Sequence, residues 1–306
     1  MSYTLHQLKL FESVVRNKSI TKAAKELHMT QPAVSIQLKQ LQEHFDLRLF
    51  EIIGRKFHLT NAGKDLYRRL IDLNKTLEDI EDTMAEHRGT LKGHLHFSVV
   101  STGKYFMPHF LGLYKEEYPG IELKLQVTNR FTVFEHLKKN MTDFAVVSIL
   151  PESPPVESLE IMDNPLVVAS KPGFGVPKSP IDFQNLADES FILREKGSGT
   201  RLVMLDLFDK YGIEPEITFE LGTNEAIKQA IMAGFGLSVL SRFSMKSELK
   251  NKEIKQLNIN NFPITTRWQL IWLKGKRMNP AARKFLEFVK ERKERIIKDN
   301  FSWVYS

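Results

Sequence analysis

The chain has 306 residues, of which 42% are hydrophobic and 26% charged; 44 Lys+Arg stand against 37 Asp+Glu, a formal net charge of +7. With 0 cysteines it forms no disulfide and no thiolate metal site, and it senses no redox change through a thiol. No run of about 18 apolar residues predicts a membrane span, and MSYTLHQLKLFESVV lacks the apolar core of a secretory signal, so a cytoplasmic location is expected. The positive excess suits a polyanionic partner without proving one.

The elements are read in chain order. Leu5, Leu8, Phe11 and Val15, with Leu10 and Val14 alongside, mark a first amphipathic helix. Thr21–Leu27 predicts a second, with Ser19 as its N-cap and with Ala23 and Ala24 small enough to let another helix cross closely. His28 falls where a left-handed C-cap belongs, Thr30 caps a third helix, and Pro32 lies in its first turn. Val34, Leu38 and Leu41 then form one buried stripe, while Gln31, Ser35, Ile36, Gln37 and Lys39 face the other way. Such a pair is a helix-turn-helix whose second helix carries base-reading side chains, since Gln bonds bidentately to adenine and Ser to any base edge or a phosphate. The plainer alternative is a helical hairpin inside a larger core. Downstream, LFEIIGRKFHLT (49–60) alternates and turns at Gly54-Arg55, as a short β-hairpin does. Arg55 and Lys56 at its tip suit backbone phosphate or a minor groove. Together these features predict a winged helix-turn-helix on double-stranded DNA, with Thr30, Gln31, Pro32, Ser35, Ile36, Gln37, Lys39, Arg55 and Lys56 as its contacts.

After Gly63 the apolar residues Leu66, Leu70, Leu73, Leu77, Ile80 and Met84 step alternately by four and three. This is the seam of a helix lying along another helix; the alternative is an amphipathic helix lying on its own domain. GTLKG (89–93) breaks the helix. From there short strands alternate with helices: LHFSVV (95–100), IELKLQV (121–127), FAVVSI (144–149), PLVVAS (165–170), FILRE (191–195), ITFEL (217–221), LSVLS (237–241) and WQLIWL (268–273). Parallel sheets covered on both faces are expected. PESPP (151–155) interrupts the series, predicting two α/β lobes with a crossover nearby and a return to the first lobe from about Thr266.

Ligands of open α/β sheets bind at the carboxyl ends of strands, beside helix N-termini. Three junctions qualify: Ser101-Thr102-Gly103-Lys104, REKGSGTR (194–201) and GTNE (222–225). Gly197 and Gly199 allow close backbone approach beside Ser198, Thr200, Arg194 and Arg201; with Thr223 and Asn224, with Asn129 and Arg130 after the second strand, and with Ser148 near the end of the third, they complete the candidate set. Hydroxyls, N–H groups and guanidinium suit carboxylate or phosphate. At each junction the alternative is a Ser or Thr that only caps a helix. No G-x-S-x-G, Walker loop or H-E-x-x-H is present, and His94 and His96 have no further ligands spaced to hold a metal.

The run Ser19-x-Thr21-x-Ala23-Ala24-x-x-Leu27-x-x-x-Gln31-Pro32-Ala33-Val34-Ser35, with Leu49-Phe50 and Leu59-Thr60-x-Ala62-Gly63, resembles the LysR-type transcriptional regulators. Two positions depart from the family pattern: Ile36 and Ile52 stand where a basic residue is frequent. REKGSGTR, TNEAIKQAIMAGFGLSVLS and LFEIIGRKFHLTNAG look like the branch of Calvin-cycle operon regulators, which respond to phosphorylated or otherwise anionic metabolites.

The resemblance implies an α+β multidomain chain. Its parts are a winged helix-turn-helix (1–60), a linker and dimerisation helix (61–90) and a two-lobed, periplasmic-binding-protein-like effector domain (91–306). Lobe I is expected at 91–162 and 266–306, and lobe II at 163–265. It further implies a homodimer or homotetramer, a small anionic effector held in the cleft between the lobes, no other cofactor, RNA polymerase as a further partner, and no enzymatic activity. The rival is an enzyme or solute-binding protein of the same α/β fold whose N-terminal helices serve assembly. A solute-binding protein should carry a signal sequence, and an enzyme should show a nucleophile or an acid–base pair at the junctions. Those offer mainly Ser, Thr and cations, with Glu195 and Glu225 as salt-bridge partners.

Overall fold

The computed structural model describes residues 3–54, 56–87, 91–175 and 180–305. The chain divides into two compact units, Met1–Ile80 and Glu81–Ser306.

In the first unit each helix starts at a cap. α1 (Leu5–Asn17) opens with a capping box, in which the Gln7 N–H donates to the Thr4 hydroxyl at 3.2 Å and the Thr4 N–H to the Gln7 side chain at 2.9 Å. α2 (Ile20–Glu26) is capped by Ser19 and α3 (Gln31–Phe45) by Thr30, whose hydroxyls accept from Lys22 N and Ala33 N. His28 makes the turn between them at φ +54°. Ala23 and Ala24 are buried where the helices cross, and Leu10, Phe11, Val14, Val34, Leu38 and Leu41 fill the core. The wing is β1 (Phe50–Ile53) antiparallel to β2 (Lys56–Leu59), turned by Gly54 at φ +56° and braced by the Phe50 and Phe57 rings, stacked 5.0 Å apart.

α4 (Asn61–His87) follows at once. The Thr60 hydroxyl donates to the Arg48 carbonyl at 2.6 Å and accepts from Gly63 N at 3.0 Å, tying the helix start to the wing. Gly63 is needed for closeness rather than for φ: a Cβ there would lie 1.8 Å from the Leu49 carbonyl oxygen. The apolar stripe of α4 differs from the single helix–helix seam expected. Leu70 is buried in the first unit's own core, with Leu66 and Leu73 packed against it. Leu77 is half-buried, and Ile80 and Met84 are 53% and 47% exposed. A four-three spacing specifies a stripe but not which neighbour covers it, and α1 and α3 cover the first half.

Along the second unit come β3 (Gly93–Val100), α5 (Met107–Glu117), β4 (Ile121–Thr128), α6 (Arg130–Lys138), β5 (Phe144–Val147) and β6 (Val156–Ser170). Then follow β7 (Phe191–Arg194), α7 (Gly199–Tyr211), β8 (Ile217–Leu221), α8 (Asn224–Met232), β9 (Ser238–Ser241), α9 (Lys246–Lys250) and β10 (Lys255–Gln256). β11 (Ile264–Leu273) and α10 (Pro280–Phe301) close the series. The main sheet has the order β10-β6-β11-β5-β3-β4, with β9 also on β6; β7 and β8 form a parallel pair of their own.

The sheets are not wholly parallel. β3, β4 and β5 are, but β11 runs antiparallel to β5 and β6, and β6 runs antiparallel to β9 and β10. β6 also starts at Val156, nine residues ahead of the expected strand, because Glu157, Glu160 and Asp163 break its apolar pattern. Two cores result. Phe97, Phe106, Phe110, Tyr114, Trp268 and Phe285 pack in the first lobe, and Phe183, Phe191, Met204, Phe208 and Val239 in the second. Ile227, Ile231, Leu240 and Met245 fill the second lobe's other face.

β6 and β11 run through both lobes, and two polar bridges add to them. Arg194 Nη2 donates to Ser101 Oγ at 3.1 Å. Glu225 at the start of α8 receives Lys104 Nζ at 2.8 Å and the Tyr105 hydroxyl at 2.7 Å. Burial pushes the Glu225 carboxyl up, but the hydrogen bonds from Lys104 and Tyr105 and the Lys104 charge outweigh it and hold it at about 2. Burial and the bond to Glu225 raise the Tyr105 hydroxyl, keeping it a donor.

Gly63→Ala should destabilise the first unit by about 1–3 kcal/mol, the usual cost of overpacking. The readout is faster amide exchange in α1–α3 with the second unit unchanged. Because the folded-state value of Glu225 is depressed, its contribution is full above about 4.5 and is lost as pH falls toward about 2. Glu225→Gln should therefore lower the second unit's melting temperature at pH 7 by about 2–4 °C, equivalent to about 1 kcal/mol for a half-exposed pair. Melts at pH 3.5 should show a smaller difference.

Candidate functional site

On α3, each residue turns the helix by about 100°. Val34, Leu38 and Leu41 point inward, so Ile36 points directly outward. Gln31, Pro32, Ile36 and Lys39 are exposed, and Ser35 and Gln37 are half-buried beside them. The exposed Thr30 spends its hydroxyl on the cap. Lys39 lies 3.6 Å from Glu43. Of the wing residues, Arg55 and the Lys56 side chain lie outside the described residues; Ile52 and Ile53 are both 60% exposed. The exposed N-terminal half of α3 is therefore a short polar surface with one aliphatic side chain at its centre.

In the second unit one cleft is lined by Val100, Ser101, Thr102, Asn129, Arg130, Ser148, Asn164, Leu166, Arg194, Ser198, Gly199, Thr200 and Val203, and encloses about 440 Å³ counting its open mouth. Eight of the twelve expected residues meet there: Ser101, Thr102, Asn129, Arg130, Ser148, Arg194, Ser198 and Thr200. The other four do not line it, and each has an identified partner. Lys104 is drawn to Glu225; Arg201 donates to the Arg194 carbonyl and to Glu220, both at 2.7 Å; the Thr223 hydroxyl caps α8 at Ala226 N; and the Asn224 side chain accepts from Arg194. Asn164 was missed in the sequence, where Asn-Pro reads as a turn. It is buried on β6, donating to Thr266 at 2.9 Å and accepting from Ser241 at 2.6 Å.

The two cleft arginines differ in how their charge is met. Arg194, 2% exposed, donates to both carboxylate oxygens of Glu195 at 2.8 and 3.0 Å, to Asn224 and to Ser101. Its charge is already neutralised. Arg130 reaches only the carbonyls of Ile149 at 3.5 Å and Leu150 at 3.3 Å, with its guanidinium 4.5 Å from the Phe134 ring centroid. Burial lowers its affinity for a proton, and Glu152 offsets this in part. Among the described residues no carboxylate forms an ion pair with it. Ser198, at the N-cap of the 13-residue α7, makes no side-chain capping bond, so its hydroxyl and the first N–H groups of α7 are available to one guest. The cleft thus offers hydroxyls, helix-end N–H groups and an unmatched cation.

Among the described residues no three His, Asp or Glu side chains gather as a metal site, and His94 lies 3.5 Å from Glu122. None of the described helices is long and apolar enough to cross a membrane.

Residues 5–64 match the family described as bacterial regulatory helix-turn-helix protein, lysR family, and residues 88–294 match the LysR substrate binding domain. The RuBisCO operon transcriptional regulator of Allochromatium vinosum is 38% identical over 290 residues, 94% of this chain and 96% of the relative. The regulatory domain of CcmR from Synechocystis PCC6803, solved in complex with 2-PG, is 40% identical with a TM-score of 0.64, over 66% of this chain and 97% of that one. Full-length CbnR, solved in a complex with its target DNA, has a TM-score of 0.72 over 95% of this chain and 100% of that one; at 22% identity this likeness concerns the fold. The helix-turn-helix with its capped third helix and the two-lobed unit with its hydroxyl-lined cleft are therefore the two halves of one architecture, and the chain belongs to the lysR family of transcriptional regulators, in the branch of the Calvin-cycle operon regulators.

Proposed function

We propose that the chain binds specific sequences in double-stranded DNA through α3 and the wing, and that a small anionic metabolite in the cleft between the lobes modulates this binding. The observation that carries the metabolite reading is Arg130, a half-buried guanidinium that lines the cleft together with the N-terminus of α7 and has no carboxylate partner among the described residues. A carboxylate or phosphate there gains a charge-assisted hydrogen bond and the favourable end of a helix dipole. The CcmR regulatory domain, solved with 2-PG, supports the same class of ligand. In this reading Ser101, Thr102, Asn129, Ser148, Ser198 and Thr200 orient the anion and Arg194 braces the wall. The metabolite acts by having different affinities for two lobe arrangements, since a ligand indifferent to both would shift nothing. No other cofactor is required.

The remaining surface of α4 serves a second copy of the chain. Leu77 and Ile80 carry that role, because Leu66, Leu70 and Leu73 already belong to the first unit's core. The regulator acts in the cytoplasm as a homodimer or homotetramer, with RNA polymerase as the partner that its DNA-bound form addresses.

Thermal shift of the full chain with 2-PG, small dicarboxylic acids and sugar phosphates tests the cleft. Arg130→Gln should weaken the best anion about 10- to 100-fold, the worth of a hydrogen bond to a charged group. Thr102→Val should weaken it about fivefold with the fold intact. Response to neutral compounds alone, or indifference to both variants, would sink the anion reading. For the seam, Leu77→Asp combined with Ile80→Asp should dissociate the oligomer in sedimentation without unfolding α1–α3. On DNA, Gln31→Ala should cost about 1–3 kcal/mol at the selected site and little on random duplex.

A further inference from the structure

The outward centre of α3 is apolar. Ile36 is 56% exposed and lies opposite the buried stripe of Val34, Leu38 and Leu41, with Pro32 one turn before it. Its neighbours on that face are Lys39 and Gln40, both exposed and polar. A branched aliphatic side chain held in water on a polar helix gains nothing from the fold; it gains when an apolar group covers it. A helix of this kind enters the major groove, where the apolar group on a base edge is the C5-methyl of thymine.

We infer that Ile36 is a specificity-determining residue that reads a thymine methyl group in the operator. The inference rests on the DNA-binding reading above and deepens it. Lys39 and Gln40, about one turn beyond Ile36 and to either side of it, supply cationic and polar contacts. Ile36 then selects T over C at one base pair, because the two pyrimidines differ at C5 by that methyl. An Ile at this place donates no hydrogen bond to guanine O6 or N7, as a basic side chain would, so it covers those acceptors without pairing them and also selects against G. One methyl group covered in this way is worth about fourfold in affinity, the weight of about 0.8 kcal/mol per buried carbon.

The test uses the full-length protein and a pool of random duplexes. Sequences enriched by the wild type are resynthesised with each thymine in turn replaced by deoxyuridine, which removes only the methyl. One such position should weaken the wild type about fourfold and leave Ile36→Ala unchanged. Ile36→Ala should also lose its preference for T over C there, while Ile36→Val keeps it. If every deoxyuridine affects wild type and Ile36→Ala equally, Ile36 reads no methyl and the inference fails, with the DNA reading intact. If Ile36→Ala keeps its base preferences and instead changes its oligomeric state in sedimentation, another copy of the chain covers Ile36, and the inference again fails. If the wild type enriches no sequence at all, the DNA-binding reading falls and takes this inference with it.

Discussion

β6 and β11 lie side by side, antiparallel, from Leu166 opposite Ile264 to Val156 opposite Leu273, with one register shift at Trp268/Gln269. Each strand begins in one lobe and ends in the other. Ladder hydrogen bonds resist shear along the strands, whereas a two-strand crossing offers less resistance to twist. At the crossing Asn164 links Thr266 to Ser241 through a part-buried and a buried hydrogen bond, which fixes the strands where they change lobe. Every cleft residue depends on this arrangement. Ser101, Ser148 and Arg194 sit at or just past the ends of β3, β5 and β7, and β5 is itself registered on β11. A slip of one residue would reverse which face each side chain occupies.

Local physics made the first unit readable. Ser19, Thr30, Pro32 and His28 each act through a few neighbouring atoms, and each does in the fold what its chemistry favours. The hairpin with Gly54 at its turn is equally local. The coverage of α4 was not readable, because spacing defines a stripe while the choice between its own core and another helix is a tertiary matter. The antiparallel course of β6 and β11 was hidden for a related reason. The first third of β6, Val156–Glu160, has no buried residue and exposes Glu157 and Glu160, so the strand lacks the continuous apolar run of one buried on both faces.

The cleft shows the same limit at the level of single charges. Arg130 and Arg194 both follow a strand in sequence and are equally plausible anion binders by composition. The fold gives Arg194 a carboxylate, an amide and a hydroxyl, and leaves Arg130 with two long contacts to backbone carbonyls. Burying a guanidinium is tolerable only when its charge is met, so Arg194 is architecture. Arg201, which looked like a third anion binder, is likewise spent on Glu220 and on the Arg194 carbonyl.

Ser101 stands at the meeting of these two roles. Its oxygen accepts from Arg194 across the lobes, and its own hydrogen remains free to turn into the cleft that it lines. A hydroxyl that accepts from a cation becomes a better donor, since bonds in a chain polarise one another. A guest bonded to this hydroxyl would therefore be held most strongly when the lobes are together, and less when they part. By reciprocity, a guest that accepts a hydrogen bond from Ser101 would strengthen the lobe contact by the same free energy. Position and affinity are thus coupled at a single atom, with no relay of side chains between them.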